Sequence, residues 1–197
     1  MRLTSLLTSG ILVVVAALLV ACGAASSPSA PSTAVPGMAG MDHSTMPNTS
    51  DTPYDARFID SMIVHHEGAI AMAQQALETT ERPEIRQLAE AIVSAQQTEI
   101  AQMRTWRSAW YPDLAPTDGM QMDMGPMSVA DGRTPFDQRF IEAMIPHHEG
   151  AIMMARDALQ KAERQEIKDL ARAIITAQEA EIAQMRQWLQ EWYGVTP

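Results

Sequence analysis

The sequence predicts an all-α fold: a four-helix bundle built from two copies of one helical hairpin. Residues 58–106 align with residues 140–188 without a gap at a constant offset of 82, with 31 identities in 49 positions. Ungapped similarity over that length makes each half a structural unit of the same geometry, related to the other by an approximate twofold axis. Within each half, apolar residues recur every three or four positions in two runs separated by a short break. That is the pattern of two amphipathic helices joined by a tight turn. At 197 residues and 46% hydrophobic content, the chain can bury a packed core.

The amino terminus sets the compartment. Arg2 gives a basic start, residues 11–20 form a short apolar run, and Leu19-Val20-Ala21-Cys22 follows, an ending that resembles the bacterial lipobox. On that reading, residues 1–21 are a lipoprotein signal peptide cut before Cys22, whose sulfur carries the lipid. The alternative is an uncleaved membrane helix, since residues 3–21 carry no charge. In both cases the working domain is expected in the cell envelope, outside the cytoplasm and tied to a membrane. Cys22 is the only cysteine, so no disulfide framework and no thiolate site are available, and any soft metal ligand must be methionine. Once Arg2 leaves with the signal, 13 basic residues face 24 acidic ones, and the net charge of −11 argues against nucleic acid and suits the attraction of cations.

Residues 22–51 are rich in Ala, Ser, Pro, Thr and Gly, bury too little apolar surface to fold, and read as a flexible tether containing methionine. The first hairpin spans 52–112. Phe58, Met62, His65, Ala69, Met72 and Ala76 form the stripe of its first helix, and Leu88, Ile92, Ala95, Gln96, Glu99, Met103, Trp106 and Trp110 that of its second. The break falls at 79–83, with Pro83 suited to a first helical turn. A methionine-rich crossover at 113–135, interrupted by Pro116, Gly119, Gly125, Pro126 and Gly132, argues against one long coiled coil. The second hairpin, 136–197, repeats the first, with helices from about 136 to 162 and 164 to 193. Pro146 replaces Val64 there, and an interior proline removes a helical hydrogen bond, so the two half-sites are expected to differ in shape.

Four of the five histidines form two identical pairs, His65-His66 and His147-His148, each followed by Glu-Gly-Ala-Ile. At about 100° per residue, Met62, His65, Ala69 and Met72 share one arc with His66 at its flank. Met144, His147, Ala151 and Met154 repeat that arc, with His148 at the flank. Glu99 with Met103, and Glu181 with Met185, also project inward from positions four apart. A di-iron bundle uses Glu-x-x-His on two helices; here Met62 and Met144 stand in the glutamate positions. Thioether sulfur is a soft, neutral ligand, which points to copper, Cu(I) above all and Cu(II) as well. Met72 and Met154 taken alone also suit plain core packing. Buried imidazoles need partners, which singles out His65 and His147 as ligands. His66 and His148 could cap, bond to Glu99 or Glu181, or complete a second site. Outside the bundle, Met38, Met41, His43 and Met46 in the tether, and Met120, Met122, Met124 and Met127 in the crossover, form auxiliary soft-ligand clusters. Methionine in a polar, glycine-rich linker has no core to fill, so capture of copper is the expected role, and a hydrophobic contact with the bundle the alternative.

The run Phe-x-x-x-Met-Ile-x-His-His-x-Gly-Ala-Ile-x-Met-Ala at 58–73, repeated at 140–155, resembles the family called domain of unknown function 305. So does Gln-x-x-Glu-Ile-x-x-Met at 96–103 and 178–185. The resemblance implies a ferritin-like bundle, and a role like that of family members that look like periplasmic copper-binding proteins linked to copper tolerance. Met-Asp-His-Ser-x-Met at 41–46 is similar to segments of copper-resistance proteins. The expectation is a non-enzymatic, lipid-anchored protein that sequesters or transfers copper, with metal ions and a copper-exporting or copper-accepting envelope protein as partners. A ferritin-like metalloenzyme, such as a metal oxidase, and a metal-free helical interaction module are the rival readings.

Overall fold

A computed structural model describes residues 52–195. The proposed signal peptide and tether, with Cys22, Met38, Met41, His43 and Met46, lie outside the described residues. Four helices follow in order: α1 (Tyr54–Thr79), α2 (Pro83–Trp110), α3 (Phe136–Lys161) and α4 (Gln165–Tyr193). Among the described residues the fold is all-α, two hairpins forming one bundle, as the internal repeat requires. None of the described helices is long and apolar enough to cross a membrane.

Each boundary has a local cause. Pro83 occupies the first turn of α2, where its missing N–H has no intrahelical partner to lose. Gly194 closes α4 in the left-handed conformation, φ 66°, and the N–H groups of Gly194 and Val195 return to the carbonyls of Gln190 and Leu189. The start of α4 has no cap of its own. Asp55, 2% exposed on α1, instead anchors the turn that precedes it, accepting from the backbone N–H of Glu163 and Arg164 at 3.0 and 3.1 Å.

Within each hairpin the two helices pack along their length, and the hairpins meet chiefly where α1 crosses α3. The crossing is antiparallel, because the amino-terminal part of α1 shares a core with the carboxy-terminal part of α3, and the reverse. One core gathers Phe58, Ile59, Met62, Met103, Met154 and Ile167. The other gathers Phe140, Ile141, Met144, Met185, Met72 and Ile85, the same positions with the halves exchanged. Burial of side chains of this size stabilises by about 1.5–3 kcal/mol each. Two symmetry-related clamps tie the ends together: Arg82, at one hairpin turn, lies 4.2 Å over Trp192, and Arg164, at the other, lies 4.1 Å over Trp110. One residue of the expected second-helix stripe is misplaced, because Ala95 is exposed and Ile100 fills the interior instead.

The crossover departs from expectation. It does not stand clear of the bundle: Met120 and Met122 are half-buried and pack against the core around Met62 and Met103. Arg107 donates to Asp60 at 2.8 Å and to the carbonyls of Tyr111, Leu114 and Ala115, while Asp60 accepts from the N–H of Thr117 and Ser61 from that of Met120. These contacts satisfy backbone groups that a docked loop would otherwise leave unpaired. The repeat places Glu142, Ala143 and Leu189 at the positions of Asp60, Ser61 and Arg107. The residues that hold the crossover are thus ones in which the first half differs from the second.

Candidate metal centre

The crossing of α1 and α3 is built from histidine. The rings of His65 and His147 lie 3.8 Å apart, centroid to centroid, tilted by 30°, and all four paired histidines are 0% exposed. His66 and His148, expected at the flank, are buried because α1 and α3 are each covered by the other and by the outer helix of their own hairpin. That widens the buried arc beyond a single stripe.

Of the roles open to this outer pair, the structure shows the bond to glutamate. His66 Nε2 lies 2.7 Å from Glu99 Oε2, and His148 Nε2 lies 2.7 Å from Glu181 Oε2. With Nε2–H donated to a carboxylate, each ring turns a lone pair on Nδ1 inward, and both Nδ1 atoms are buried without a hydrogen-bond partner. Neither ring nitrogen of His65 makes a hydrogen bond of normal geometry, although the Met124 backbone lies near enough to act on the ring. His147 differs: its Nδ1 is 2.7 Å from the Pro126 carbonyl oxygen and its Nε2 3.1 Å from that of His65. A neutral imidazole carries one N–H and can satisfy only one of these acceptors.

Burial holds both central rings neutral. It lowers the pKa of His65 to about 2, helped by the neighbouring His147, His66 and His148 and opposed by the Met124 backbone. It lowers that of His147 to about 4, with the Pro126 carbonyl opposing the shift. The site therefore presents neutral nitrogen donors at physiological pH, and unpartnered buried nitrogens are costly unless something occupies them. Among the described residues, no three His, Cys, Asp or Glu side chains converge to hold an ion. Glu99 and Glu181 are bonded to imidazoles, the way outer groups support a metal-binding histidine. The remaining soft donors are methionines, all buried: Met62, Met103 and Met154 in one core cluster, Met144, Met185 and Met72 in the other. Each set draws on both hairpins, whereas the sequence stripe pairs Met62 with Met72 on one helix. Neutral nitrogen and thioether donors together suit a soft monovalent ion.

Several contributors escaped the sequence reading. The Pro126 carbonyl is a backbone group, with no sequence signature. Gly125, at φ 67°, lies so close to α3 that a Cβ would fall 2.6 Å from the Pro146 carbonyl and 2.8 Å from His147 Cα, so only glycine fits. Gly68 and Gly150 sit in helix interiors, where glycine is costly, and that cost was the available signal. A Cβ on Gly150 would meet the Met124 and Asp123 carbonyl oxygens at 3.1 Å, and one on Gly68 would meet the Met127 side chain.

The sequence profile described as Domain of unknown function (DUF305) matches residues 20–107 and 55–189. Among solved structures, CopM in its Cu(I)-bound form is 43% identical, with a TM-score of 0.61 over 71% of this chain and 98% of that one. CopM in an Ag-bound form is 42% identical with a TM-score of 0.62 over the same shares. A DUF305 fragment from Deinococcus radiodurans is 30% identical with a TM-score of 0.60, over 70% of this chain and 96% of that one. No curated protein matches. A profile that spans both hairpins, and a duplicated histidine crossing that the same profile covers, establish that the chain belongs to the DUF305 family.

Proposed function

We propose that this protein binds copper, chiefly as Cu(I), at the crossing of α1 and α3, and sequesters it or hands it on without catalysing a reaction. The observation that carries this reading is the set of buried, unpartnered nitrogens on His65, His66 and His148 in a core that also holds six methionines. CopM, solved with Cu(I), Cu(II) and Ag bound, supports it. In this assignment the candidate nitrogen ligands are His65, His66, His147 and His148, no more than two of them on one ion among the described residues, the candidate sulfur ligands are the buried Met62, Met103, Met154, Met144, Met185 and Met72, and Glu99 and Glu181 fix the outer rings. A bound copper ion would be cargo, stabilising the folded state by mass action.

Metal analysis of the protein purified without a metal-affinity tag tests the reading. Copper is expected to co-purify, and added Ag(I) to compete with it. Bound iron or manganese would instead favour the metalloenzyme, and absence of any tightly bound metal the interaction module.

The placement is part of the proposal: lipid on Cys22 holds the domain at the outer face of a membrane, where it can exchange copper with an exporter or acceptor. Cys22→Ala is expected to move the protein from the membrane fraction to the soluble one, because a single modified cysteine is the anchor once the signal is cut. Retention in membranes with an intact amino terminus would point to an uncleaved helix.

A further inference from the structure

All four paired histidines are 0% exposed, so an ion bound among them must pass through the protein surface. We propose that Met127 and Gly68 form the port through which a soft monovalent ion reaches these histidines, with the Met127 thioether as its first ligand. The inference rests on the copper reading above and names the route it leaves open.

Met127 is 38% exposed, yet its inner end reaches the histidine crossing. A Cβ built on Gly68 would lie 2.5 Å from Met127 Cε, 2.9 Å from Met127 Sδ and 3.3 Å from His147 Cε1. Sulfur and imidazole therefore share the notch left by the missing side chain, and one flexible residue touches both solvent and the edge of the cluster. Cε1 is bonded to both ring nitrogens, so the notch borders the edge of the imidazole that carries them. The peptide next to Met127 contributes as well: the Pro126 carbonyl accepts from His147 Nδ1 at 2.7 Å, so displacement of Met127 acts directly on the contact that holds this ring.

The port is one-sided although the helices are repeated. At Gly150, the counterpart of Gly68, the same space is closed by the backbone of Asp123 and Met124, with Met124 C at 3.0 Å and both carbonyl oxygens at 3.1 Å from the Cβ position. Backbone offers no soft donor and cannot swing aside as a methionine does. A thioether remains unprotonated and neutral at any physiological pH and binds Cu(I) or Ag(I), while a hard divalent cation gains little from it.

The test follows uptake of Ag(I) from a chelator-buffered pool into the full-length protein by stopped flow, and the amount bound at equilibrium. Met127→Leu keeps apolar bulk but removes sulfur, and should slow uptake about tenfold or more, as loss of one stabilising contact at the barrier does, with final occupancy unchanged. Gly68→Ala raises helix propensity, and its Cβ meets the movable end of Met127 and, at 3.3 Å, His147 Cε1, so helix content and equilibrium Ag(I) occupancy are measured beside its rates to separate a filled notch from a displaced ring. Its uptake and release should both slow. Met153→Leu, at a methionine 40% exposed in the groove between α3 and α4, serves as control and should load like the natural protein. Equal loading rates for Met127→Leu, Gly68→Ala and the natural protein would overturn the port while leaving copper binding intact. Reduced occupancy at an unchanged rate would make Met127 a resident ligand and also overturn it. A natural protein that takes up no Ag(I) would overturn both readings.

Discussion

Replacing His65 and His147 together by glutamine should remove tight Cu(I) binding while leaving the bundle folded. Glutamine retains polarity and much of the volume but offers no imidazole nitrogen, and the central pair supplies both unpaired nitrogens of His65 and the ring beside Pro126. Competition against a Cu(I) chelator should show affinity weakened by about two orders of magnitude or more, a loss of roughly 3 kcal/mol. The effect should also appear as stability. A ligand that binds only the folded state at about a thousand times its Kd adds roughly 4 kcal/mol, and for a domain of this size each kcal/mol raises Tm by about 2–4 °C. The natural protein should therefore melt about 10 °C higher with Cu(I) than without it, and the double variant should lose most of that difference. Full Cu(I) affinity in the double variant would sink the site assignment.

What the sequence could reveal here depended on periodicity. The offset of 82 made two hairpins visible at once, and the three-and-four spacing of Phe58, Met62, His65, Ala69, Met72 and Ala76 identified a face that is wholly buried. Such a pattern reports one helix at a time. It could not show that α1 and α3 cross at their histidines, which is why Met62 joins Met103 and Met154 in one core and Met72 joins Met144 and Met185 in the other. Nor could it show that His66 is buried, because its burial needs two neighbouring helices at once. Composition alone leaves the crossover detached for a related reason: a polar segment rich in Gly and Pro folds only if something else satisfies its backbone, and Arg107, Asp60 and Ser61 do so from positions with no motif of their own. The differences between the halves marked that region, Asp60 against Glu142 inside a repeat valued for its identities and Arg107 against Leu189 one position beyond its end.

Acid should destabilise the metal-free protein steeply, through the same histidines. Folded His65 and His147 take up protons only near pH 2 and pH 4, whereas in the unfolded chain both titrate near 6.5. Above about pH 6.5 neither state is protonated and the full stability is present. Below it the unfolded chain binds protons that the folded protein refuses, so stability falls with pH, through about pH 4 for His147 and on toward pH 2 for His65. Each pH unit costs about 1.4 kcal/mol per group, so by pH 4 the two rings together remove roughly 6 kcal/mol. That is comparable with the whole stability of many domains, about 5–15 kcal/mol. Around these rings, Glu99 and Glu181 face His66 and His148 at 2.7 Å, and no carboxylate is hydrogen-bonded to His65 or His147, so nothing anionic rescues the central charge. Urea denaturation of the metal-free protein at pH 7, 5.5 and 4 should show this loss, and the variant with glutamine at 65 and 147 should lose clearly less over the same range. Saturating Cu(I) should shift the acid transition to lower pH, because ion and proton compete for the same nitrogens and the ion binds only the folded state. Parallel pH dependence in the natural protein and the double variant would mean that the central rings are not held neutral by burial, and the electrostatic basis for the copper site would fall with them.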